Sequence, residues 1–190
     1  MSKRIEIRLA GAGGQGIILA GVILAEAAAI HEGRFVCQTQ SYGPEARGGS
    51  CRSDVVISDE EIDYPQAVQP DILLCLNQKA CDLYVFDLKP GGTLIVDDSR
   101  VHHLPVTRAV GLPFTRIARE EAGLEMLANI VALGALAVLT GVVSLESLAA
   151  AVLARVPRGT EMPNRKALEA GAQAAREFLA RRGSESSRQP

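Results

Sequence analysis

A glycine-rich segment near the amino terminus, Gly-Ala-Gly-Gly-Gln-Gly at residues 11–16, constrains the fold more than any other part of the sequence. The alternating residues 4–9 predict a strand before it, and the apolar run 17–30 predicts a buried helix after it. In such a unit the glycines allow a tight turn and close approach of a ligand, and the helix start favours phosphate. The context predicts phosphate or pyrophosphate binding, although a tight turn without a ligand stays open. The candidate residues are Gly11, Gly13, Gly14, Gln15 and Gly16.

Strand and helix patterns alternate along the rest of the chain. This βαβ spacing predicts an α/β fold: a single Rossmann-like domain over residues 1–182, with a mostly parallel sheet flanked by helices and a helical C-terminal region. The polar residues 183–190 predict a flexible tail. The further predicted strands are 35–39, 54–58, 72–76 and 93–96, and the further predicted helices are 77–88, 116–140 (interrupted near Gly123), 145–155 and 164–182.

Charge and cysteine content restrict the function classes. A formal net charge of −2 argues against nucleic acid as a main partner, because phosphate backbones need a basic excess. The longest apolar runs contain Glu26 or Gly134 and indicate buried helices instead of membrane spans. The four cysteines form no CxxC pair, so we expect buried thiols in a reducing cytoplasm and no metal held by this chain. Lys3, Arg4 and Arg8 indicate a solvated first strand, although a role in guiding an anion stays open.

Ordinary NAD recognition is poorly supported. Rossmann proteins that bind NAD carry an acidic residue about 20 positions beyond the glycine loop, at the end of the second strand. Here that strand ends in Cys-Gln-Thr-Gln at residues 37–40, with no acid. The loop therefore predicts a phosphate ligand without the usual ribose contact, and the amide of Gln15 is placed to reach that ligand directly.

A second unusual segment, Ser-Tyr-Gly-Pro-Glu-Ala-Arg-Gly-Gly-Ser at residues 41–50, follows the second predicted strand. We expect it at the same edge of the sheet as the glycine loop. An arginine there can pair with a phosphate or carboxylate, and paired glycines permit close backbone approach. Composition alone leaves an ordinary surface loop open. The candidate residues are Ser41, Tyr42, Gly43, Arg47, Gly48 and Gly49.

Asn129 begins a strongly apolar helix. Its side chain either caps that helix or contacts a ligand or a partner. No arrangement of residues in the sequence marks a catalytic centre, so no catalytic residue is predicted.

Taken together, these motifs resemble the gamma subunits of 2-oxoacid:ferredoxin oxidoreductases, most closely the 2-oxoglutarate subfamily. The resemblance rests on GAGGQG, on SYGPEARGGS and on the helix entry Asn-Ile-Val-Ala-Leu-Gly at 129–134, and it covers about residues 4–180. The pair of loops is specific, although each loop alone is not.

The resemblance implies a non-autonomous subunit. Such complexes oxidatively decarboxylate a 2-oxoacid, join the acyl group to coenzyme A and pass electrons to ferredoxin, or run in reverse. Thiamine diphosphate with Mg²⁺ and the 4Fe-4S clusters belong to the alpha, beta and ferredoxin-like delta subunits. The gamma chain shapes the coenzyme A side of the site and the subunit interface. Pyruvate, branched-chain or indolepyruvate specificity stays open, as do a free-standing Rossmann-type nucleotide-binding oxidoreductase and a non-enzymatic scaffold domain.

Overall fold

A six-stranded sheet organises the computed structural model, which describes residues 4–42, 49–104 and 109–186. The strand order is β2-β3-β1-β4-β5-β6, and only β3 runs against the others. The predicted α/β class with a mostly parallel sheet is therefore confirmed. The strands are β1 Ile5–Ala12, β2 Phe35–Tyr42, β3 Ser50–Ser58, β4 Ile72–Cys75, β5 Thr93–Asp97 and β6 Val110–Leu112.

Helices cover both faces of this sheet. One face packs against most of the helices in a large apolar core, and the short α2 covers the other face over a smaller one. Helix α1 continues as a π-helical turn, and single 3₁₀ turns follow α2 and precede α4. The last four residues of the predicted tail, 187–190, lie outside the described residues. The helices are α1 Ile17–Glu26, α2 Gln78–Tyr84, α3 Phe114–Ala122, α4 Ala128–Thr140, α5 Leu145–Arg155 and α6 Glu161–Ser186.

The second and third strands depart from the βαβ pattern, because β2 and β3 pair as an antiparallel hairpin. Residues 43–49 alone join them, and a parallel crossover needs a dozen or more residues. The predicted loop 41–50 is correspondingly shorter, since β2 extends through Tyr42 and β3 begins at Ser50. The predictions missed β6 because its three residues are too few to establish a periodic pattern.

Helices α4 and α6 cross at two glycines in the larger core. A Cβ on Gly134 would lie 2.1 Å from the carbonyl oxygen of Leu168, and one on Gly171 would lie 1.8 Å from that of Val131. Only glycine at these positions lets the two backbones approach so closely. This contact fixes α4, whose amino-terminal end faces the glycine-rich loop.

Arg8 lies in the interior of the α2 side of the sheet and is 2% exposed, so the expected solvated strand face is wrong. Its Nε and Nη2 donate to the two carboxylate oxygens of Asp54 at 2.8 and 3.1 Å. Nη2 also donates to the carbonyl oxygen of Ala67 at 2.9 Å, and Nη1 donates to Asp87 at 2.5 Å. The ion pairs raise the pKa of Arg8 despite the opposing effect of burial. The guanidinium therefore joins β1, β3 and two connecting segments.

Candidate functional site

The glycine-rich loop lies at the carboxyl end of β1, where α/β sheets commonly bind ligands. Gly13 and Gly14 are exposed, and Gly14 adopts a φ of +92° with open space around the position of a Cβ. Gly16 has a φ of +68° and immediately precedes α1. The loop thus presents backbone to solvent at the start of a helix, an arrangement that suits an oxyanion.

The amide of Gln15 is turned back onto the chain. Its Oε1 accepts hydrogen bonds from the Ala12 N–H at 2.7 Å and from Asn77 Nδ2 at 2.9 Å, and its Nε2 donates to the Leu76 carbonyl at 3.1 Å. Both ends of the amide are engaged, so in this structure Gln15 positions the loop against the end of β4.

Asn77 extends this network to the next helix. Its Oδ1 accepts a hydrogen bond from the Ala80 N–H at 2.8 Å and thereby caps α2, while its Nδ2 holds Gln15. Asn77 is not among the site residues predicted from the sequence. The sequence feature that could have indicated it is a polar residue directly after a continuous apolar strand, at the edge of the sheet where ligands commonly bind.

Asn129 supports the loop from behind. It is buried, its Nδ2 donates to the Gly16 carbonyl at 3.1 Å, and its Oδ1 accepts from the Ile130 N–H at 2.9 Å. The residue preceding α4, Leu127, makes no side-chain cap, so Asn129 satisfies an N–H from within the first turn. The hydrogen bond from the Asn129 amide to the Gly16 carbonyl therefore holds the end of the glycine-rich loop in place.

The second candidate segment lies beside the first, as predicted. The Gly13 N–H donates to the Gly49 carbonyl at 3.0 Å, and Ala12 pairs with Ser50 in the sheet. Ser41 and Tyr42 are exposed at the end of β2. The other members of this segment among the candidates, Gly43, Arg47 and Gly48, lie outside the described residues.

The direction of β3 gives a second argument against ordinary NAD binding. In a dinucleotide fold the strand beside β1 is parallel and brings its carboxyl end, with the ribose-binding acid, to the glycine loop. Here the neighbouring strand is antiparallel and brings its amino end there, at Ser50. The hydroxyl oxygen of Ser50 is buried and has no hydrogen-bond partner among the described residues.

A cavity of about 200 Å³ opens beside the glycine-rich loop. Arg100 lies at it and donates to Glu125 at 3.1 Å, and Arg119 pairs with the other oxygen of the same carboxylate. Ala128, the first residue of α4, also borders the space. The lining residues are Gly14, Gln15, Arg100, Thr115, Glu125, Met126 and Ala128.

Two adjacent carboxylates lie at the carboxyl end of β5 near this cavity: Asp97 is the last residue of the strand, and Asp98 follows it. Asp97 is fully buried and accepts hydrogen bonds from the Ser99 N–H at 3.0 Å and from the N–H and hydroxyl of Thr115. Partial burial of Asp98 raises the pKa of its carboxyl; the charge of Asp97 adds to this effect, and Arg116 opposes it. Asp97 therefore fixes Thr115 at the cavity wall.

All four cysteines carry free thiols. Cys51, Cys75 and Cys81 are buried, as expected, and Cys37 is partly buried. A hydrogen bond between Cys75 and Cys81 raises the pKa of the first and lowers that of the second. Within the described ranges, no group of three or more His, Cys, Asp or Glu residues could hold a metal ion, and no helix is long and apolar enough to cross a membrane.

The model of the pyruvate ferredoxin/flavodoxin oxidoreductase family matches residues 6–174. The chain belongs to this family. Among curated relatives in the family, the 2-oxoglutarate synthase subunit KorC of Methanocaldococcus jannaschii is 54% identical over 183 residues, which cover 94% of this chain and 97% of the relative. The KorC subunit of Methanothermobacter marburgensis is 49% identical, covering 88% and 95% of the two chains.

Solved structures of the pyruvate ferredoxin/flavodoxin oxidoreductase family have the same fold. The gamma subunit of keto/oxoacid ferredoxin oxidoreductase from Geobacter sulfurreducens matches with a TM-score of 0.81 and 51% identity, over 90% of this chain and 98% of that one. The 2-oxoglutarate:ferredoxin oxidoreductase from Magnetococcus marinus, with 2-oxoglutarate, coenzyme A and succinyl-CoA bound, matches with a TM-score of 0.81 and 26% identity. That match covers 92% of this chain and 31% of the larger one.

These matches confirm the predicted resemblance to gamma subunits. The chain is a subunit of a 2-oxoacid:ferredoxin oxidoreductase, and it resembles the subunits of the 2-oxoglutarate enzymes over nearly its full length.

Proposed function

We propose that this chain is the gamma subunit of a complex that oxidatively decarboxylates 2-oxoglutarate with coenzyme A to succinyl-coenzyme A, passing electrons to ferredoxin, or that runs the reverse reaction. The observation that carries the choice of 2-oxoglutarate is the 54% identity to a 2-oxoglutarate synthase subunit over almost the whole of both chains. Thiamine diphosphate, Mg²⁺ and the 4Fe-4S clusters are assigned to the alpha, beta and ferredoxin-like delta subunits on the strength of the family resemblance.

Within this complex, the glycine-rich loop faces the phosphates of coenzyme A. Three features support this role: the exposed backbone at Gly13 and Gly14, the position of the loop at the start of α1, and the neighbouring cavity with Arg100. A structural relative from Magnetococcus marinus has coenzyme A bound. Gln15, Asn77 and Asn129 act as positioning residues, because their amides hold the loop.

The hairpin β2–β3 and the open edge of β2 form the surface that contacts the catalytic subunits. Among the described strands, β2 pairs with β3 alone and leaves its other edge free. Its eight residues carry no formal charge and include no proline. Charged residues and proline usually protect an exposed edge from pairing with another strand. Phe35 and Tyr42 are exposed at its two ends. An uncharged edge with terminal aromatic residues suits a protein partner.

The activity is tested on the complex purified with its partner subunits. With coenzyme A and ferredoxin present, kcat/KM is measured for 2-oxoglutarate, pyruvate, a branched-chain 2-oxoacid and indolepyruvate. We expect 2-oxoglutarate to give the highest value. A higher kcat/KM for another 2-oxoacid would assign that oxoacid, and not 2-oxoglutarate, as the substrate of the complex. Reduction of a nicotinamide cofactor by the isolated chain would contradict the subunit assignment and favour a free-standing oxidoreductase.

The role of the loop is tested with Gly14→Val. A β-branched residue at a φ of +92° strains the loop backbone. We expect a higher KM for coenzyme A in the assembled complex, with a smaller effect on decarboxylation at thiamine diphosphate. Gly33→Val is the matched control, since Gly33 also has a positive φ and open space around its Cβ position but lies before β2, away from the loop. An unchanged KM in Gly14→Val removes the phosphate role.

Arg47 gives a separate test of the hairpin. For Arg47→Ala we expect loss of assembly or of acyl transfer, because an arginine at this interface pairs with a phosphate or a carboxylate. Normal assembly together with normal turnover would favour the alternative that segment 41–50 is an ordinary surface loop.

A further inference from the structure

A three-residue charge cluster lies beside the cavity next to the glycine-rich loop. Glu125 lies between two arginines: Arg100 Nη2 donates to its Oε2 at 3.1 Å, and Arg119 contacts its Oε1. Between 43% and 61% of each of these side chains is exposed. Arg100 and Glu125 line the cavity, whereas Arg119 lies outside the lining.

An ion pair this exposed is held weakly. Solvent-exposed salt bridges contribute about 0–1 kcal/mol, so the cost of separating Arg100 from Glu125 is small. Two oxygens of a phosphate group accept hydrogen bonds from a guanidinium as the two oxygens of a carboxylate do, and the 3′-phosphate of coenzyme A carries a larger charge. The carboxylate of Glu125 thus engages Nη2, one of the Arg100 donors that a ligand oxyanion would use.

The surroundings favour an anion once this pair opens. Helix α4 begins at Ala128 and helix α1 follows the loop at Gly16, so two helices begin at the same cavity. Each helix start adds a partial positive charge. The hydroxyl of Thr115, at the cavity wall, already donates a hydrogen bond to Asp97. Arg100 is the cationic side chain among the described residues that line the cavity.

We propose that Glu125 is an internal competing anion, which holds Arg100 until a phosphate group of coenzyme A enters the cavity and takes the arginine over. This inference rests on the proposed coenzyme A role of the glycine-rich loop and goes beyond it. It assigns Arg100 as a phosphate-binding residue and Glu125 as the residue that limits the affinity.

The test is equilibrium binding of coenzyme A to the full chain, with dephospho-coenzyme A and inorganic pyrophosphate as separate probes. Arg100→Gln is expected to weaken binding about tenfold, the loss of one charge-assisted hydrogen bond. Glu125→Gln is expected to tighten it about threefold to tenfold, because the competing charge is gone while the side chain keeps its size. Arg176→Gln is the matched control, expected to change binding less than about twofold, because Arg176 is exposed on α6 and lies outside the cavity lining.

The double variant Arg100→Gln/Glu125→Gln separates this mechanism from a general effect on folding. If Glu125 acts through Arg100, Glu125→Gln tightens binding in the native chain and has no effect once Arg100 is absent. Loss of pyrophosphate binding in Arg100→Gln places the diphosphate at this arginine, and a loss confined to coenzyme A over its dephospho form places the 3′-phosphate there.

Three results would overturn the inference: unchanged or weaker binding in Glu125→Gln, unchanged binding in Arg100→Gln, or no binding of any probe by the native chain and by Glu125→Gln. The proposed function fails differently. It fails if Gly14→Val leaves the KM for coenzyme A of the assembled complex unchanged, whatever Arg100 and Glu125 do in the isolated chain.

Discussion

The side-chain amide of Asn129 occupies the space that any side chain at residue 16 would need. Its Nδ2 donates to the Gly16 carbonyl at 3.1 Å, and a Cβ on Gly16 would lie 2.4 Å from the same nitrogen. Gly16 also has a φ of +68°, a conformation that costs other L-residues energy. Gly16 and Asn129 together determine the backbone conformation where the glycine-rich loop meets α1.

Gly16→Ala is expected to lower the free energy of unfolding by about 2–4 kcal/mol, the sum of the left-handed backbone and of overpacking against Asn129. Chemical denaturation measures this change. The double variant Gly16→Ala/Asn129→Gly should recover the overpacking part. Strict additivity of the two single changes would show that the side chain of Asn129 does not cause the clash.

Arg8→Met is expected to lower the free energy of unfolding by about 3–5 kcal/mol, because Asp54 would remain buried without its cation. Lys89→Met is the control: the partly exposed pair of Lys89 with Asp71, at 2.7 Å, is expected to contribute only about 0–1 kcal/mol. Comparable losses for both variants, measured by urea unfolding, would mean that burial does not determine the strength of the Arg8 pair.

Asp98 predicts a pH dependence whose sign follows from its raised pKa. The folded chain holds this proton more tightly than the unfolded chain, so the contribution to stability is full in acid and is lost as the pH rises through the folded pKa. Asp98→Asn should therefore raise the Tm at pH 7. The gain should shrink as the pH falls towards the ordinary range of an aspartate, where the native carboxyl is protonated as well.

For Asp98→Asn, Asp63→Asn serves as the comparison, since Asp63 is an exposed carboxylate in the connection between β3 and β4. A gain in Tm that is the same at pH 7 and in acid would have another origin than the titration of Asp98.

Tyr42 tests the proposed interface. Tyr42 is 67% exposed at the end of β2, so Tyr42→Ser should leave the Tm of the isolated chain almost unchanged. If Tyr42 is one of the few hot-spot residues of the interface, its truncation costs about 2 kcal/mol, so binding to the thiamine-bearing subunits should weaken about thirtyfold. Met162→Ser, a similarly exposed apolar residue on α6, is the control in a binding titration. Equal effects of the two variants would count against the hairpin.

Local patterns predicted the elements whose shape depends on nearby residues. Helix α5 has the predicted bounds, 145–155, because its apolar residues recur at helical spacing and Ser144 caps its first turn. Strands β4 and β5 follow from continuous apolar runs. The pairing of β2 with β3 was not accessible in this way, since alternation marks a strand but not its neighbour.

The site was predictable to the same extent. The glycine pattern located the loop, and the order of strands placed segment 41–50 beside it. The contacts that hold the loop join residues far apart in sequence, as Gln15 joins Leu76 and Asn77. Arg8 shows the same limit, since its charge indicated exposure until Asp54, 46 positions away, was found beside it.

The hydrogen bond from Gly13 to Gly49 makes the glycine-rich loop and the β2–β3 hairpin one mechanical unit. We expect a partner that shifts the hairpin to shift the glycine-rich loop as well, and thermodynamic reciprocity would then apply. If the loop binds coenzyme A as proposed, the factor by which subunit docking raises the affinity for coenzyme A equals the factor by which bound coenzyme A raises the affinity between subunits. The cellular supply of free coenzyme A would then help to decide how much of this chain is assembled at all.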